Sequence, residues 1–172
     1  MGIEEVISKT MESWQRERPD IDFTAMSSAL KLNAVHQKAA QQIQERLGSI
    51  GVNLGEFDVL ATLRRHGIDA VMTPSEIAEL TMISQSGLTH RLTSLVTMGL
   101  ITRQRDPNDK RSSLIGLTPE GIRIADRGIE IAVAVQTQTC MIVSDYQREA
   151  FEKVLDRLLQ RADSDSVIES AR

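Results

Sequence analysis

Residues 73–121 read TPSEIAELTMISQSGLTHRLTSLVTMGLITRQRDPNDKRSSLIGLTPEG, and the succession of signals in them decides the fold. Thr73 is placed as an N-cap, Pro74 at the first helical position and Glu76 at the third, a pattern that satisfies the orphan amides of a helix start. Ile77, Ala78 and Leu80 give that short helix an apolar face. Ser84 can cap a second helix, along which Leu88, Leu92, Leu95 and Val96 recur at helical spacing as a buried stripe. Gly99 ends it, since glycine accepts the left-handed conformation that terminates helices. LITRQRD and RSSLIGLT then flank Asp106, Pro107, Asn108 and Asp109, whose residue types suit a turn, so a β-hairpin with a charged tip is expected. Thr118 and Pro119 open another helix.

Outward from this centre the chain reads as helix. A helix is expected from 3 to 16, ended by RPDID because proline disfavours helical geometry before it. A second runs from 23 to 47 and stops at Gly48; a third covers 54–65, with Leu54, Phe57, Leu60 and Ala61 on one face and Gly67 beyond its end. After the hairpin, a helix runs from 119 towards 143. Asp145 caps a last one, in which Tyr146, Ala150, Phe151, Val154, Leu155, Leu158 and Leu159 form an amphipathic seam. The terminal DSDSVIESAR is expected to fray. The fold class is mainly α, a winged helix-turn-helix with a small β-wing. Its organisation is an N-terminal extension and first dimerisation helix over 1–50, a binding lobe over 51–118, and C-terminal dimerisation helices over 119–172.

Composition narrows the function. With 172 residues and 41% hydrophobic content the chain can bury a substantial core. No long apolar run and no basic, then apolar, N-terminus occurs, which points to a soluble cytoplasmic protein with no membrane partner. One cysteine, Cys140, supports neither a disulfide framework nor a thiolate zinc site, and three scattered histidines leave metal binding without a ligand set. Cys140, among Met141, Ile142 and Val143, reads as a buried inert thiol rather than a redox sensor. No nucleophile elbow, P-loop or dinucleotide fingerprint is present, so no enzyme and no cofactor is expected.

Charge is informative through its distribution. The net charge is -4, yet between 84 and 113 the cations Arg91, Arg103, Arg105, Lys110 and Arg111 face only Asp106 and Asp109. A locally basic element on an acidic body suits contact with phosphate along one edge. On the second helix of the pair, Ser86, His90, Thr93 and Thr97 fall opposite the apolar stripe, while Ser84, Gln85, Ser86, Thr89 and His90 lie near its start, where a recognition helix meets base edges. Double-stranded DNA is the partner this surface suits. The DNA-facing candidates are Ser84, Gln85, Ser86, Thr89, His90, Thr93, Arg105, Lys110 and Arg111. One lobe offers a short contact, so two lobes held about 34 Å apart on a palindromic operator are expected, which requires a homodimer. A protein-binding scaffold with the same fold is the rival reading; salt separates the two, because operator binding weakens steeply with it.

FDVLATLRRHG at 57–67, the segment 73–113 and LTPEG at 117–121, taken in this order, resemble the MarR family of bacterial transcription factors over about 23–161. That resemblance implies an obligate homodimer built on the terminal helices and a repressor answering to a small ligand. The N-terminal extension with Trp14 before RPDID further resembles the urate-responsive PecS/HucR-type subgroup. The resemblance implies that Trp14, Asp58, Arg91 and Arg103 surround the ligand, and that His36 stacks across the dimer axis as a candidate acid sensor. Urate is a planar anion that a guanidinium can meet with charge-assisted hydrogen bonds, while an indole supplies a flat apolar face. Arg91 lies about 60° from the centre of the buried stripe and could pair with Asp58. Plainer roles stand beside these: Trp14 as a packing anchor, Asp58 and Arg91 as a structural ion pair, Arg103 as a phosphate contact. A phenolic acid or an oxidant is the alternative effector.

Overall fold

The computed structural model describes residues 2–172 apart from 82, 83, 106, 108–111, 141, 142 and 170–172, and the side chains of 85 and 162–169 lie outside the description as well. Along the chain come α1 (Ile3–Glu17), α2 (Thr24–Gly48), α3 (Leu54–Arg65), β1 (Val71–Met72), α4 (Pro74–Thr81), α5 (Gln85–Thr97), β2 (Ile101–Arg105), β3 (Ser113–Leu117), α6 (Pro119–Cys140) and α7 (Asp145–Glu169). They fall into two units, 1–135 and 136–172.

Local chemistry sets the helix starts in the first unit. Asn53 caps α3 through a reciprocal box: the Glu56 N–H donates to Asn53 Oδ1 and the Asn53 N–H donates to Glu56 Oε2, both at 2.9 Å. Thr73 and Glu76 repeat the device at α4, with the Thr73 N–H 2.7 Å from Glu76 Oε2 and the Glu76 N–H 3.3 Å from Thr73 Oγ1. These bonds hold the exposed Glu76 carboxyl below the usual carboxylate range, the Thr73 amide being the largest cause. Gly67 and Gly99, at φ 121° and 70°, turn the chain out of α3 and α5 in the left-handed region open to glycine.

The core joins the C-terminal half of α2 (Ile43, Leu47), α3 (Phe57, Val59, Leu60, Leu63), α4 (Ile77, Ala78), α5 (Leu88, Leu92, Leu95), the sheet (Met72, Ile101, Ile115) and α6 (Ile124, Ala125, Val135). Each fully buried leucine contributes about 2 kcal/mol by leaving water. α6 crosses α3 at close range. A Cβ on Gly128 would stand 2.5 Å from the Phe57 ring, so only glycine fits there, and Arg64 Nε donates to Asp126 Oδ1 at 2.8 Å alongside.

The sheet has three strands in the order β1-β3-β2, all antiparallel. The antiparallel pairing of β2 with β3 is as expected, while Asp106, Asn108 and Asp109 of the expected turn lie outside the described residues; β1 is an addition. Val71 pairs with Gly116, where the missing side chain leaves room for a valine methyl. In β2, Ile101, Arg103 and Arg105 stand opposite Leu117, Ile115 and Ser113, so they share the sheet face that carries the buried Ile101 and Ile115.

Five expectations change. Val96 is 41% exposed, because it lies about 70° round the helix from the line of Leu88, Leu92 and Leu95. Leu80 is exposed too, its carbonyl accepting a bond from Arg65 Nη2 at 3.3 Å. Cys140 is exposed rather than buried. Five helical residues after buried Val135, it is rotated by about 140° from that side chain's direction. Finally, Ser144 caps α7 where Asp145 was expected: the Gln147 N–H donates to Ser144 Oγ at 3.4 Å, and Gln147 Oε1 accepts the Ser144 amide at 3.0 Å. Helix α7 also continues through Glu169, into the segment expected to fray, whose last residues, 170–172, lie outside the description.

In the second unit, α7 carries Tyr146, Phe151, Val154, Leu158 and Leu159 as exposed large apolar side chains. Among the described residues no helix is long and apolar enough to cross a membrane, and no group of three or more His, Cys, Asp or Glu could hold a metal ion.

Candidate nucleic-acid interface and effector site

α5 is built to be gripped from one side and to present the other. Ser84 Oγ accepts the Gly87 N–H at 3.3 Å and lies 3.4 Å from Ser86 Oγ, which fixes the helix start. With Leu88, Leu92 and Leu95 buried, Ser84, Ser86, Thr89, His90 and Thr93 are exposed together. Thr93 Oγ1 donates to the Thr89 carbonyl and Thr97 Oγ1 to the Thr93 carbonyl, each at 2.9 Å, so these hydroxyls keep acceptor lone pairs for an outside donor. The surface is hydrogen-bonding and weakly charged. Gln85 belongs to α5 through its backbone, while its side chain, like Lys110 and Arg111 at the wing tip, lies outside the described residues.

Cationic character comes from the wing. Arg103 and Arg105 are exposed on β2, and Arg103 Nε donates to Ser113 Oγ at 3.1 Å, which lays its guanidinium along the hairpin. It stands on the same sheet face as Ile115, directed to the helical side of the lobe.

Of the four candidate effector residues, Asp58 and Arg91 interact through charge alone. The Arg91 guanidinium lies over the first turn of α3: a Cβ on Gly55 would stand 2.5–2.7 Å from its Nε, Cζ and Nη2 atoms. Its Nη1 is buried without a hydrogen-bond partner. No hydrogen bond or ion pair joins it to Asp58, because the guanidinium follows the bare backbone at Gly55 instead; its charge is nonetheless felt there. Desolvation by the surrounding protein, the larger cause, pushes the Asp58 carboxyl above the ordinary aspartate range, and the Arg91 charge offsets part of that rise. Trp14, 46% exposed, stacks on Phe23 at a ring-centroid distance of 6.0 Å, and a shallow hollow beside it is lined by Val6, Lys9, Thr10 and Ser13. Neither contact set includes Asp58, Arg91 or Arg103. His36 is exposed on α2, next to exposed Val35 and one turn from Leu32.

The raised Asp58 carboxyl has a definite consequence for stability. An acid whose folded pKa lies above its unfolded value costs stability when ionised; that cost is absent below the ordinary aspartate range and grows as pH rises through the folded value. Asp58→Asn is therefore expected to raise the melting temperature at neutral pH by about 1 °C, a small effect because the group is at the surface. Below the ordinary aspartate range the two proteins are expected to melt together. A gain that is larger in acid would contradict this assignment of the shift.

Sequence reasoning passed over three residues here: Gly55, Glu56 and Ser94. Glu56 is 7% exposed, and its Oε1 accepts the Ser94 hydroxyl at 2.6 Å, joining α3 to α5. The Asn53-x-x-Glu56 spacing is itself a capping-box pattern and could have signalled the first half of this arrangement.

A short helix followed within a few residues by a longer helix with a hydrogen-bonding outer face, and then a wing, define a winged helix-turn-helix protein. A model of the MarR family matches residues 50–112. The transcriptional regulator PecS from Dickeya dadantii is 31% identical over 152 residues, covering 88% of this chain and 92% of its own length. Two solved structures share the fold. A cysteine-to-serine mutant of MarR from E. coli, complexed with operator DNA, superposes with a TM-score of 0.66 at 23% identity, over 85% of this chain and 97% of the other. MepR from S. aureus, in complex with DNA, gives 0.70 at 21% identity over 77% and 96%. The chain belongs to the MarR family.

Proposed function

We propose that the protein is a homodimeric transcriptional repressor that binds a palindromic operator in double-stranded DNA and is released by a small planar anion, urate in the first instance. The observation that carries the DNA reading is the division of α5 into a buried leucine line and an exposed face of Ser86, Thr89, His90 and Thr93, set beside a wing bearing Arg103 and Arg105. Such a face matches major-groove edges, and the wing cations match phosphate or the neighbouring minor groove. Two MarR-fold neighbours solved on DNA agree with it.

Urate is supported by chemistry at one locus. The Arg91 guanidinium keeps a buried, unpartnered Nη1 and acts through its charge on the Asp58 carboxylate, so an anion arriving there finds a donor and repels the ionised Asp58. Differential affinity for the released arrangement is what shifts the equilibrium. Trp14 would join this ligand as a flat apolar face and Arg103 as a second donor. The dimer reading rests on the exposed apolar faces of α7 and of the first half of α2, where Leu32 and Val35 share one side of the helix with His36; two His36 cations brought together in a dimer would oppose assembly in acid.

The test is a titration of a duplex from the gene's own upstream region, with and without urate, for the native protein and Arg103→Ala. Operator affinity is expected to fall at least about tenfold with urate in the native protein, a coupling of ordinary size, and to be urate-insensitive in the variant. Salt should weaken the binding steeply. Binding that ignores urate in both proteins would remove urate and send the search to a phenolic acid or an oxidant. Binding that ignores both salt and sequence would remove the repressor.

A further inference from the structure

We propose that Glu56 and Ser94 form the joint about which the recognition helix is set, with Glu56 as the positioning residue; this rests on the reading of α5 as the helix that meets DNA. A capping box needs only one carboxylate oxygen, as its counterpart in the same lobe demonstrates: at α4, Glu76 takes the Thr73 amide and hydroxyl on the same Oε2 and is exposed. Glu56 is buried, and each oxygen has its own partner, Asn53 N–H on Oε2 and the Ser94 hydroxyl on Oε1. The second bond spans 38 residues of sequence, from the first turn of α3 to the last turn of α5. In the same turn, the Leu54 N–H donates to Gln44 Oε1 on α2 at 2.8 Å. A linked series of polar contacts thus runs from α2 through the start of α3 to α5.

The same turn of α3 touches α5 at a second point, Arg91 over Gly55, and the two contacts differ in sign. Arg91 and Ser94 are three residues apart and share a face of α5. A helix N-terminus favours a carboxylate and disfavours a guanidinium. Ser94 on Glu56 is therefore the electrostatically supported contact, and Arg91 on Gly55 the adverse one. When an anion draws Arg91 away, the Ser94 joint remains and α5 turns about it rather than sliding free. The joint governs the helix's aim, while the wing cations govern attraction to phosphate.

The experiment uses the full chain and two duplexes, one from the gene's own upstream region and one unrelated, with native protein, Ser94→Ala, Ser94→Thr and Glu56→Gln. Ser94→Ala is expected to weaken binding to the first duplex about tenfold, the size of one lost charged hydrogen bond, and to leave the unrelated duplex within about twofold. Ser94→Thr restores the hydroxyl and is expected to recover most of the loss. Glu56→Gln, left with a single acceptor for two donors, is expected to fall between. Equal losses on both duplexes, or none, would overturn the proposal, because a merely structural contact does not separate specific from non-specific binding. Should the native protein fail to discriminate the duplexes, the DNA reading falls, and the joint is judged by hydrogen exchange. Faster exchange of the 85–97 amides in Ser94→Ala, reversed in Ser94→Thr, then supports it, and unchanged exchange overturns it.

Discussion

Gly121→Ala is expected to lower the melting temperature by about 9 °C, corresponding to about 3 kcal/mol in a chain of this size. The reason is a joint of backbone on backbone. The Thr118 N–H donates to the Leu100 carbonyl at 3.1 Å, the Thr118 hydroxyl donates to the Gly99 carbonyl at 2.8 Å, and the same hydroxyl accepts the Gly121 N–H at 2.9 Å. This ties the start of α6 onto the residues that follow α5. A Cβ on Gly121 would overlap Leu100 O outright and stand 2.9 Å from Leu100 C. Neither atom belongs to a flexible side chain that could step aside, so α6 must lift and the bonds of Thr118 must stretch. The helix-propensity advantage of alanine, at most about 1 kcal/mol, is too small to compensate. Thermal unfolding followed by circular dichroism reads the result; a change below about 2 °C would mean that α6 can shift at little cost.

The second large effect is expected from paired substitution of Val154→Glu and Leu158→Glu on α7. These side chains are i and i+4 on the helix, and with Phe151 and Leu159 they leave an exposed apolar strip that monomeric proteins seldom carry. In the proposed repressor that strip is where two copies meet. Four glutamates brought together at the twofold axis would add like-charge repulsion to the loss of apolar burial, so sedimentation is expected to report a monomer. Losing the second half-site removes its effective concentration, and operator affinity is expected to fall by about 100-fold or more. A variant that stays dimeric would move the interface to α1 and the first half of α2, where Leu32 and Val35 are exposed.

Local chemistry made much of the fold legible. α3 ends before Gly67, α4 begins after Thr73, and α5 lies between Ser84 and Gly99, because caps and glycines act within a few residues of where they stand. Features that depend on distant partners were not legible. β1 is two residues long and exists because Gly116, more than forty residues on, leaves space for Val71. Val96 lay in the apolar pattern, yet it sits at the rim of the buried face, a distinction that only the packed neighbours make.

At the candidate site the same division holds. The residue types were readable, and the exposed face of α5 matches the helical wheel. The contacts were not. Arg91 was read as a partner for Asp58 and rests against Gly55, because nothing in sequence announces that a glycine in one helix makes a bed for a side chain of another. Glu56 and Ser94 were passed over altogether, the capping-box spacing of Asn53 and Glu56 included. Their bond appears only when α3 and α5 are brought together by Phe57, Leu60, Leu92 and Leu95.

The wing, finally, is unequal along its length. Near its root β3 is held on both sides, by β1 at Ile115 and Gly116 and by β2, whereas the pairs Gln104 with Leu114 and Arg105 with Ser113 belong to a two-stranded ribbon. Three-stranded pairing resists twisting far better than a bare hairpin does. Mechanically the described wing is a cantilever: clamped at Ile115, and more compliant at the pairs of Gln104 and Arg105. Arg105, past the clamp, can follow the contour of whatever it meets, while Arg103, paired with Ile115 at the clamp itself, keeps a fixed distance from the core. Bending at Arg105 therefore dissipates before it reaches α5, and a pull on Arg103 is transmitted directly into the lobe.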